Sequence, residues 1–298
     1  MEKGKILDGK LVSQHVAERV QKQISYLKSH GVTPGLAVII VGDDPASHVY
    51  VKRKGKTSQQ LGMRSETIYM EKETPESELL SLIDELNKNN DYNGILVQMP
   101  LPMHISEEKV ILRISPDKDV DCFHPRNVGL MVAGTPYVLP CTPAGIIEIL
   151  QYYNIQSDGK HVVVIGRSNI VGKPMANLMM QKNKKGNATV TIVHSRTVSI
   201  EQYTRTADIL IAAMGYPEFV KGDMVKDGVI VIDVGMNRVD ADNDRGYRLT
   251  GDVAFDEVSK KASFITPVPG GVGPMTISML MSNTTIAAAK QNGITLPE

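Results

Sequence analysis

The sequence predicts an α/β protein with two domains, and three observations lead to this prediction. Apolar runs of strand length alternate with segments whose apolar residues recur at helical spacing. Residues 161–180, HVVVIGRSNIVGKPMANLMM, pass from a β-branched run through a glycine-bearing loop into a helical pattern. The 298 residues are enough for two cores. We therefore expect an N-terminal α/β domain and a Rossmann-type parallel-sheet domain, with a cleft between them.

The first half of the chain alternates helices and strands. Apolar residues that begin at Val12 recur at helical spacing, and the pattern stops at Gly31. The runs LAVIIV and GILVQM have the composition of buried strands, and Pro100 ends the second. In order, the predicted elements are a helix over 12–27, a strand over 36–41, helices over 46–61 and 77–87, and a strand over 94–99.

Residues 115–145 differ in character, because they are rich in proline, glycine and aspartate. The segment is too long for an ordinary loop, which predicts a functional connection between the domains. The second half then reads as one open parallel sheet, preceded by a helix over 144–153 and followed by a helix over 276–291. Its predicted strands are 162–165, 189–193, 209–213, 229–234 and 264–266. We place the N-terminal domain at 1–141 with 276–298, through the returning last helix, and the Rossmann domain at 142–275.

The composition excludes several classes of function. Lysine plus arginine and aspartate plus glutamate both number 33, so no net charge attracts nucleic acid, and the lack of tryptophan argues against base stacking. The charged N-terminus is unlike a signal peptide, and no apolar run is long enough to span a membrane. Cys122 and Cys141 form neither a disulfide framework nor a metal-ligand cluster. We expect a cytoplasmic protein with reduced thiols and no metal.

The loop after the 162–165 strand is a candidate phosphate-binding site. Gly166 and Gly172 frame it, and Arg167 and Ser168 supply polar groups. Backbone N–H groups at a helix N-terminus bind pyrophosphate, and glycine lets the backbone approach it. The spacing departs from G-x-G-x-x-G, so the pattern is weak evidence by itself. A tight strand–helix turn without a ligand is the alternative.

The residues after the second strand of this sheet indicate which dinucleotide binds. An acidic residue there suits the ribose of NAD, whereas a basic residue suits the 2′-phosphate of NADP. The segment HSRT supplies Ser195 and Arg196, with no carboxylate, and Arg167 is available from the preceding loop. NADP is therefore favoured over NAD. A polar strand end with an exposed arginine is the alternative.

A second glycine-rich turn reads TPVPGGVGPMT over residues 266–276. Its glycines indicate unusual backbone angles or a close approach to a ligand, and Pro269, Gly270 and Gly271 are its candidate binding residues. We expect this turn to form a wall beside the nicotinamide end of the dinucleotide.

The first domain contains the candidate catalytic residues. Tyr50 and Lys54 are four apart on a predicted helix and share one face. Gln98 ends a strand at the carboxyl edge, where α/β sheets bind ligands. Asp121 lies in the long connection, in the segment DKDVDC. Taken one at a time, the lysine is also compatible with ordinary surface charge and the aspartate with a turn residue.

Together, these motifs resemble the bifunctional methylenetetrahydrofolate dehydrogenase/methenyltetrahydrofolate cyclohydrolase family in its short bacterial form. Their order and spacing match across essentially the whole chain, which is far more specific than any single motif. The motifs are Y-x-x-x-K at 50–54, VQMPLP at 97–102, PDKDVD at 116–121, PCTPAG at 140–145, GRSNIVGKP at 166–174, HSRT at 194–197 and PGGVGPMT at 269–276.

The resemblance implies two reactions at one site. Methylenetetrahydrofolate is oxidised with NADP⁺, and the resulting methenyl cation is hydrolysed to 10-formyltetrahydrofolate. By position, Lys54 is the general acid/base of hydrolysis, Gln98 bonds and tunes it, Tyr50 stacks along the folate, and Asp121 binds the donor edge of the pterin. The resemblance also implies that the segments at 166–174 and 194–197 bind NADP, that the 269–271 turn borders the nicotinamide and folate, and that the chain forms a homodimer through its Rossmann domains.

The chemistry of these roles is consistent. A cationic substrate beside Lys54 in a partly dry site disfavours the ammonium, so the amine can activate water and later return a proton. Two alternatives remain at this stage: a dehydrogenase with little cyclohydrolase activity, and a non-catalytic dinucleotide sensor. Cys122 departs from the family, which more commonly has glycine there. We expect no positive φ at this position and hence no strain next to Asp121.

Overall fold

The computed structural model describes residues 4–242 and 246–297. Its strands are β1 (Lys5–Ile6), β2 (Gly35–Val41), β3 (Arg64–Met70), β4 (Gly94–Val97), β5 (His161–Ile165), β6 (Thr189–Val193), β7 (Ile209–Ala212), β8 (Ile230–Asp233), β9 (Asn237–Asp240), β10 (Tyr247–Thr250) and β11 (Phe264–Ile265). Its α-helices are α1 (Gly9–Ser29), α2 (Pro45–Gln60), α3 (Glu76–Lys88), α4 (Glu107–Arg113), α5 (Pro125–Val132), α6 (Cys141–Tyr152), α7 (Gly172–Met180), α8 (Ile200–Thr204), α9 (Phe255–Val258) and α10 (Val272–Gln291). None of the helices in these ranges is long and apolar enough to cross a membrane.

One compact unit consists of residues 15–141 and 277–298. Its sheet has the strand order β3-β2-β4, and both pairings are parallel. Every residue of the central strand β2 is buried, because helices cover a parallel sheet on both faces. Apolar side chains of α3 and α4, such as Ile83 and Val110, complete the core on one face. The carboxyl end of β4 leads directly to Gln98, so the sheet brings a candidate site residue to its edge.

The other unit consists of residues 1–14 and 142–276. Its main sheet has the order β1-β11-β8-β7-β5-β6, with parallel pairing throughout. A separate antiparallel pair is formed by β9 and β10. After β5 the chain continues to β6 on one side and then to β7 on the other, so the strand order reverses beside β5. Ligands of open α/β sheets bind at the carboxyl ends of strands at such a reversal.

The predicted α/β class with a Rossmann-type parallel sheet is confirmed. Several boundaries differ from the prediction. Residues 115–145 contain α5 and the start of α6, and α10 begins at Val272 because its first turn includes the glycine-rich segment. Residues 1–14 group with the Rossmann-type sheet, since β1 pairs with β11 in register.

Candidate active site

Lys54 and Gln98 are joined by a direct hydrogen bond. Lys54 lies in α2, and its Nζ donates to Gln98 Oε1 at 2.9 Å. Gln98 lies just beyond β4, where its backbone N–H donates to Ile39 O at 2.8 Å and continues the sheet pairing for one residue. The other end of its amide, Nε2, donates to Met99 O at 2.7 Å, which keeps the oxygen directed at the lysine. Both side chains are partly buried, so the charge is held where water is limited.

Asp121 reaches the same place from the segment PDKDVD. This segment runs beside β4, because Asp119 forms a parallel bridge with Ile95 and Ile95 N donates to Lys118 O at 2.8 Å. In that register Asp121 is level with the end of β4. Burial raises the pKa of the Asp121 carboxyl, and the charge of Lys54 opposes the rise. The structure therefore brings Lys54, Gln98 and Asp121 together within one unit.

The three aspartates of this segment have three different environments. Asp117 forms an ion pair with Lys290 at 3.0 Å. Asp119 is buried and accepts hydrogen bonds from the backbone N–H groups of Phe123 and His124, at 3.1 and 2.8 Å. Its carboxylate also accepts from the Asn127 amide at 2.9 Å and so fixes the start of α5. Sequence reasoning missed Asp119, and the His-Pro step that opens α5 is the signal for it.

Cys122 has a φ of 61°, and its side chain is fully buried. The expectation that this position needs no positive φ is wrong, because the chain turns sharply here between Asp121 and α5. A non-glycine residue in the left-handed region stores about 1–2 kcal/mol of strain. The Cys122 thiol stays protonated, since burial and the neighbouring carboxylates of Asp119 and Asp121 raise its pKa.

Tyr50 lies one helical turn before Lys54 in α2. It is partly buried, and burial raises the pKa of its hydroxyl against the opposing charge of Arg53. The phenol is therefore neutral at physiological pH. The helix itself begins at a proline, and the Asp44 side chain accepts from Ser47 N at 2.8 Å at its N-terminus. This cap fixes where the helix starts and hence which face Tyr50 and Lys54 share.

The loop between β5 and α7 is the candidate phosphate cradle. Gly166 has a φ of 116°, and a Cβ there would collide with Ala213 O. A Cβ on Gly172 would likewise fill the space against the Gly166 carbonyl. Ser168 Oγ accepts from the N–H groups of Val171 and Gly172 at 3.1 and 3.3 Å. The residues fit a dinucleotide-binding loop, because such loops use glycine for a tight turn and for close packing of the strand against the helix.

The HSRT turn lies next to this loop at the carboxyl edge of the sheet. Gly166 N donates to Val193 O at 2.8 Å, so the residues after β5 and β6 are neighbours. The turn closes on itself, since His194 N donates to Thr197 Oγ1 at 3.0 Å and Thr197 N donates to His194 O at 2.7 Å. Ser195 and Arg196 are exposed at its tip, and Arg167 is exposed on the adjacent loop. A positive, hydrogen-bonding surface therefore lies beside the cradle.

Two buried carboxylates organise further loops at this edge, and sequence reasoning did not identify them. Asp252 accepts from the N–H groups of residues 214–216 at 2.7–3.0 Å and from Asn237. Asp233 accepts from the N–H groups of residues 235, 252 and 253 at 2.9–3.0 Å, and burial raises its pKa to about 7. The glycines beside them, Gly235 and Gly251, are the sequence signal, since a Cβ at either would meet these carboxylates.

The second glycine-rich turn follows β11 at the same edge. Pro269 is exposed, Gly270 has a φ of 110°, and Gly271 immediately precedes α10. Gly9 N donates to Gly270 O at 3.0 Å, which ties the turn to the start of α1. The predicted residues of the Rossmann unit thus occupy three loops of one sheet edge.

Comparison with known proteins gives a consistent result. The model of the tetrahydrofolate dehydrogenase/cyclohydrolase catalytic domain matches residues 7–121, and that of the NAD(P)-binding domain matches residues 140–292. The chain is 57% identical over 283 residues to the bifunctional protein FolD of Chloroherpeton thalassium. The aligned region covers 94% of this chain and 96% of that protein.

Two solved structures are similar over nearly their whole length. The bifunctional FolD dehydrogenase/cyclohydrolase from Campylobacter jejuni has a TM-score of 0.91 at 46% identity, covering 96% of this chain and 99% of that one. The Trypanosoma brucei dehydrogenase-cyclohydrolase, solved with NADP cofactor and an inhibitor, has a TM-score of 0.92 at 37% identity, covering 98% and 99%.

Proposed function

Because the chain belongs to the tetrahydrofolate dehydrogenase/cyclohydrolase family, we propose that the Lys54–Gln98–Asp121 cluster carries its chemistry. The enzyme oxidises 5,10-methylenetetrahydrofolate with NADP⁺ and hydrolyses the 5,10-methenyl product to 10-formyltetrahydrofolate. It therefore has both activities, and the alternatives of a dehydrogenase alone and of a dinucleotide sensor are not retained.

Lys54 is the general acid/base of hydrolysis in this proposal. The observation that carries it is the 2.9 Å hydrogen bond from Lys54 Nζ to Gln98 Oε1, which fixes the position of the amine, while Asp121 lies close enough for its charge to interact with that of Lys54. When the cationic methenyl-folate binds, its charge disfavours the ammonium, and the neutral amine takes a proton from the attacking water. The ammonium so formed returns the proton to the departing folate nitrogen, and Gln98 keeps Nζ in place through both transfers.

Asp121 and Tyr50 bind the folate in this proposal. A carboxylate accepts bonds from the N–H donors along the edge of a pterin, and such bonds favour its ionised form against the effect of burial. The neutral phenol of Tyr50 lies one helical turn from Lys54 and supplies an aromatic face for the folate ring. Together they hold the one-carbon unit near the amine.

The loops of the Rossmann unit hold NADP in this proposal. Gly166, Ser168 and Gly172 cradle the pyrophosphate, Arg167, Ser195 and Arg196 bind the 2′-phosphate, and the turn at 269–271 borders the nicotinamide and folate. Bound NADP⁺ supplies the acceptor for the hydride that leaves the methylene carbon. The close backbone packing that glycine allows at 166 and 172 supports this assignment, as does the exposed arginine pair.

The test follows reduced cofactor and methenyl-folate absorbance together, with methylenetetrahydrofolate and either NADP⁺ or NAD⁺. Lys54→Met should abolish hydrolysis, so that methenyl-folate accumulates in step with reduced cofactor, while NADP binding persists. Lys52→Met is the matched control, because Lys52 is an exposed lysine of the same helix. Hydrolysis at the wild-type rate in Lys54→Met would remove this residue from the mechanism.

A homodimer and a cytoplasmic location complete the proposal. The strand β6 is at the edge of its sheet, and Ile192 and Val198 expose apolar surface on and just after it. An open edge with apolar side chains supports pairing with a second copy. Cys122 and Cys141 are both free, which is consistent with a reducing compartment. Light scattering at micromolar concentration tests the dimer, and Ile192→Lys should shift the protein to the monomer mass.

A further inference from the structure

We propose that Asn283, a buried residue of α10, is a positioning residue for Asp121. The proposal deepens the proposed function and rests on it, because it concerns how the folate-binding carboxylate is held. Asn283 is 2% exposed and lies beyond the last motif of the sequence analysis. It neither belongs to the Lys54–Gln98 pair nor adjoins Asp121 along the chain. Its link to the site comes from hydrogen bonds.

The Asn283 amide ties two segments of the candidate site together. Its Nδ2 donates to Val120 O and to Leu139 O, both at 2.8 Å. Val120 immediately precedes Asp121, and Leu139 is two residues before Cys141. Each N–H of the amide therefore has a carbonyl partner. One side chain thus connects the backbone next to Asp121 with the segment that leads to Cys141.

A second route from Asn283 to Asp121 passes through a thiol. Cys141 Sγ lies 3.5 Å from Asn283 Nδ2 and donates to Asp121 Oδ1 at 3.7 Å. It also contacts Val120 O at 3.5 Å. Burial and the charge of Asp121 raise the pKa of the Cys141 thiol, so it remains a donor. Asn283 thus fixes both the backbone before Asp121 and the thiol that contacts its carboxylate.

Removal of the Asn283 amide should displace the Asp121 carboxylate. Replacing Asn283 by leucine keeps the volume but leaves the carbonyls of Val120 and Leu139 without their amide partner. Those carbonyls then turn toward other donors, and the Asp121 carboxylate moves with its own backbone. A displacement of a few tenths of an ångström is enough to weaken directional bonds to the pterin. The effect should fall on folate binding and leave dinucleotide binding unchanged.

The experiment compares Asn283→Leu with Thr285→Val. Thr285 is an equally buried residue of α10, and its hydroxyl donates within the helix to Met281 O at 2.9 Å. Asn283→Leu should raise KM for methylenetetrahydrofolate about tenfold, the effect of one lost hydrogen bond, with a smaller change in kcat and an unchanged Kd for NADP. Thr285→Val should lower the unfolding temperature without raising KM. An unchanged KM in Asn283→Leu would overturn the proposal.

A double-mutant cycle separates this inference from the proposed function. In an Asp121→Asn background, Asn283→Leu should raise KM less than about twofold, because coupled residues are not additive. Full additivity would show that Asn283 does not act through Asp121. If Asp121→Asn itself leaves KM unchanged, the folate role of Asp121 fails, and this inference fails with it. Should Asn283→Leu not fold, Asn283→Ser retains one donor and should give a smaller rise in KM, and no rise there would equally refute the proposal.

Discussion

Replacing Gln98 tests whether its amide positions Lys54 for hydrolysis. Gln98 Oε1 accepts a hydrogen bond of 2.9 Å from Lys54 Nζ, and Gln98 Nε2 donates to Met99 O at 2.7 Å. Gln98→Met keeps the length of the side chain and removes the acceptor. Lys54 Nζ then loses the contact that fixes its position, so kcat of hydrolysis should fall.

The size of the loss follows from the hydrogen bond. A bond to a charged group contributes about 1.5–3 kcal/mol, and about 1.4 kcal/mol corresponds to a factor of ten in rate. Lys54 and Gln98 are both partly exposed, so water replaces part of the lost bond. We therefore expect kcat of hydrolysis to fall about tenfold in Gln98→Met, the lower end of the range. Gln98→Glu retains an acceptor oxygen at the same place, so its kcat should fall less.

The assay is the rate of methenyl-folate loss at saturating substrate, after subtraction of uncatalysed hydrolysis. The affinity for NADP serves as the control, because Gln98 lies in the unit that does not carry the cradle. A larger loss of kcat in Gln98→Met than in Gln98→Glu would support the positioning of Lys54 by the amide oxygen. A wild-type rate in Gln98→Met, or equal losses in the two variants, would refute the reasoning.

Three further predictions concern stability, the helix start and the strained residue. Burial raises the pKa of Asp233 from 3.8 to about 7, so the folded state favours the protonated carboxyl. The stabilisation from this carboxyl is therefore complete below pH 3.8 and is lost as the pH rises through 7. In urea unfolding, the advantage of the wild type over Asp233→Asn should fall by up to about 1.4 kcal/mol per pH unit in that window; a difference constant with pH would contradict this. Ser168→Ala removes the acceptor for two N–H groups at the start of α7 and should cost about 1 kcal/mol. Calorimetry and NADP titration check it, and wild-type values in both would argue against the cradle. Cys122→Gly should leave folate affinity unchanged, with Cys122→Ala as control; a large gain specific to glycine would show that the strain reaches Asp121.

Local sequence patterns predict the strands, the glycine turns and the shared helix face well. The run LAVIIV is β2 apart from Gly35, and TVTIV is β6 without change, because β-branched runs bounded by turns have few alternatives. The glycines at 166 and 172 indicate a tight strand–helix turn, and a Cβ at either position would collide with backbone atoms. Tyr50 and Lys54 share a face because helical periodicity fixes it.

Long-range contacts were not predictable from such patterns. The sequence alone does not show which of Asp119 and Asp121 accepts hydrogen bonds from its own loop. That depends on how residues 116–121 align with β4. The backbone angle of Cys122 was predicted wrongly for a related reason, since a turn forced by neighbouring contacts leaves no mark on the residue itself. The pairing of β1 with β11 joins residues about 260 positions apart, and two residues are too few for a periodic signal.

The self-contained HSRT turn has a consequence for how cofactor choice can change during evolution. Its shape depends on hydrogen bonds between His194 and Thr197, whereas Ser195 and Arg196 lie exposed at the tip. The candidate phosphate cradle follows a different strand. Under the proposed assignment of Arg167, Ser195 and Arg196 to the 2′-phosphate, a change of cofactor preference would alter exposed positions only. Such a change would leave the buried strands of the sheet intact.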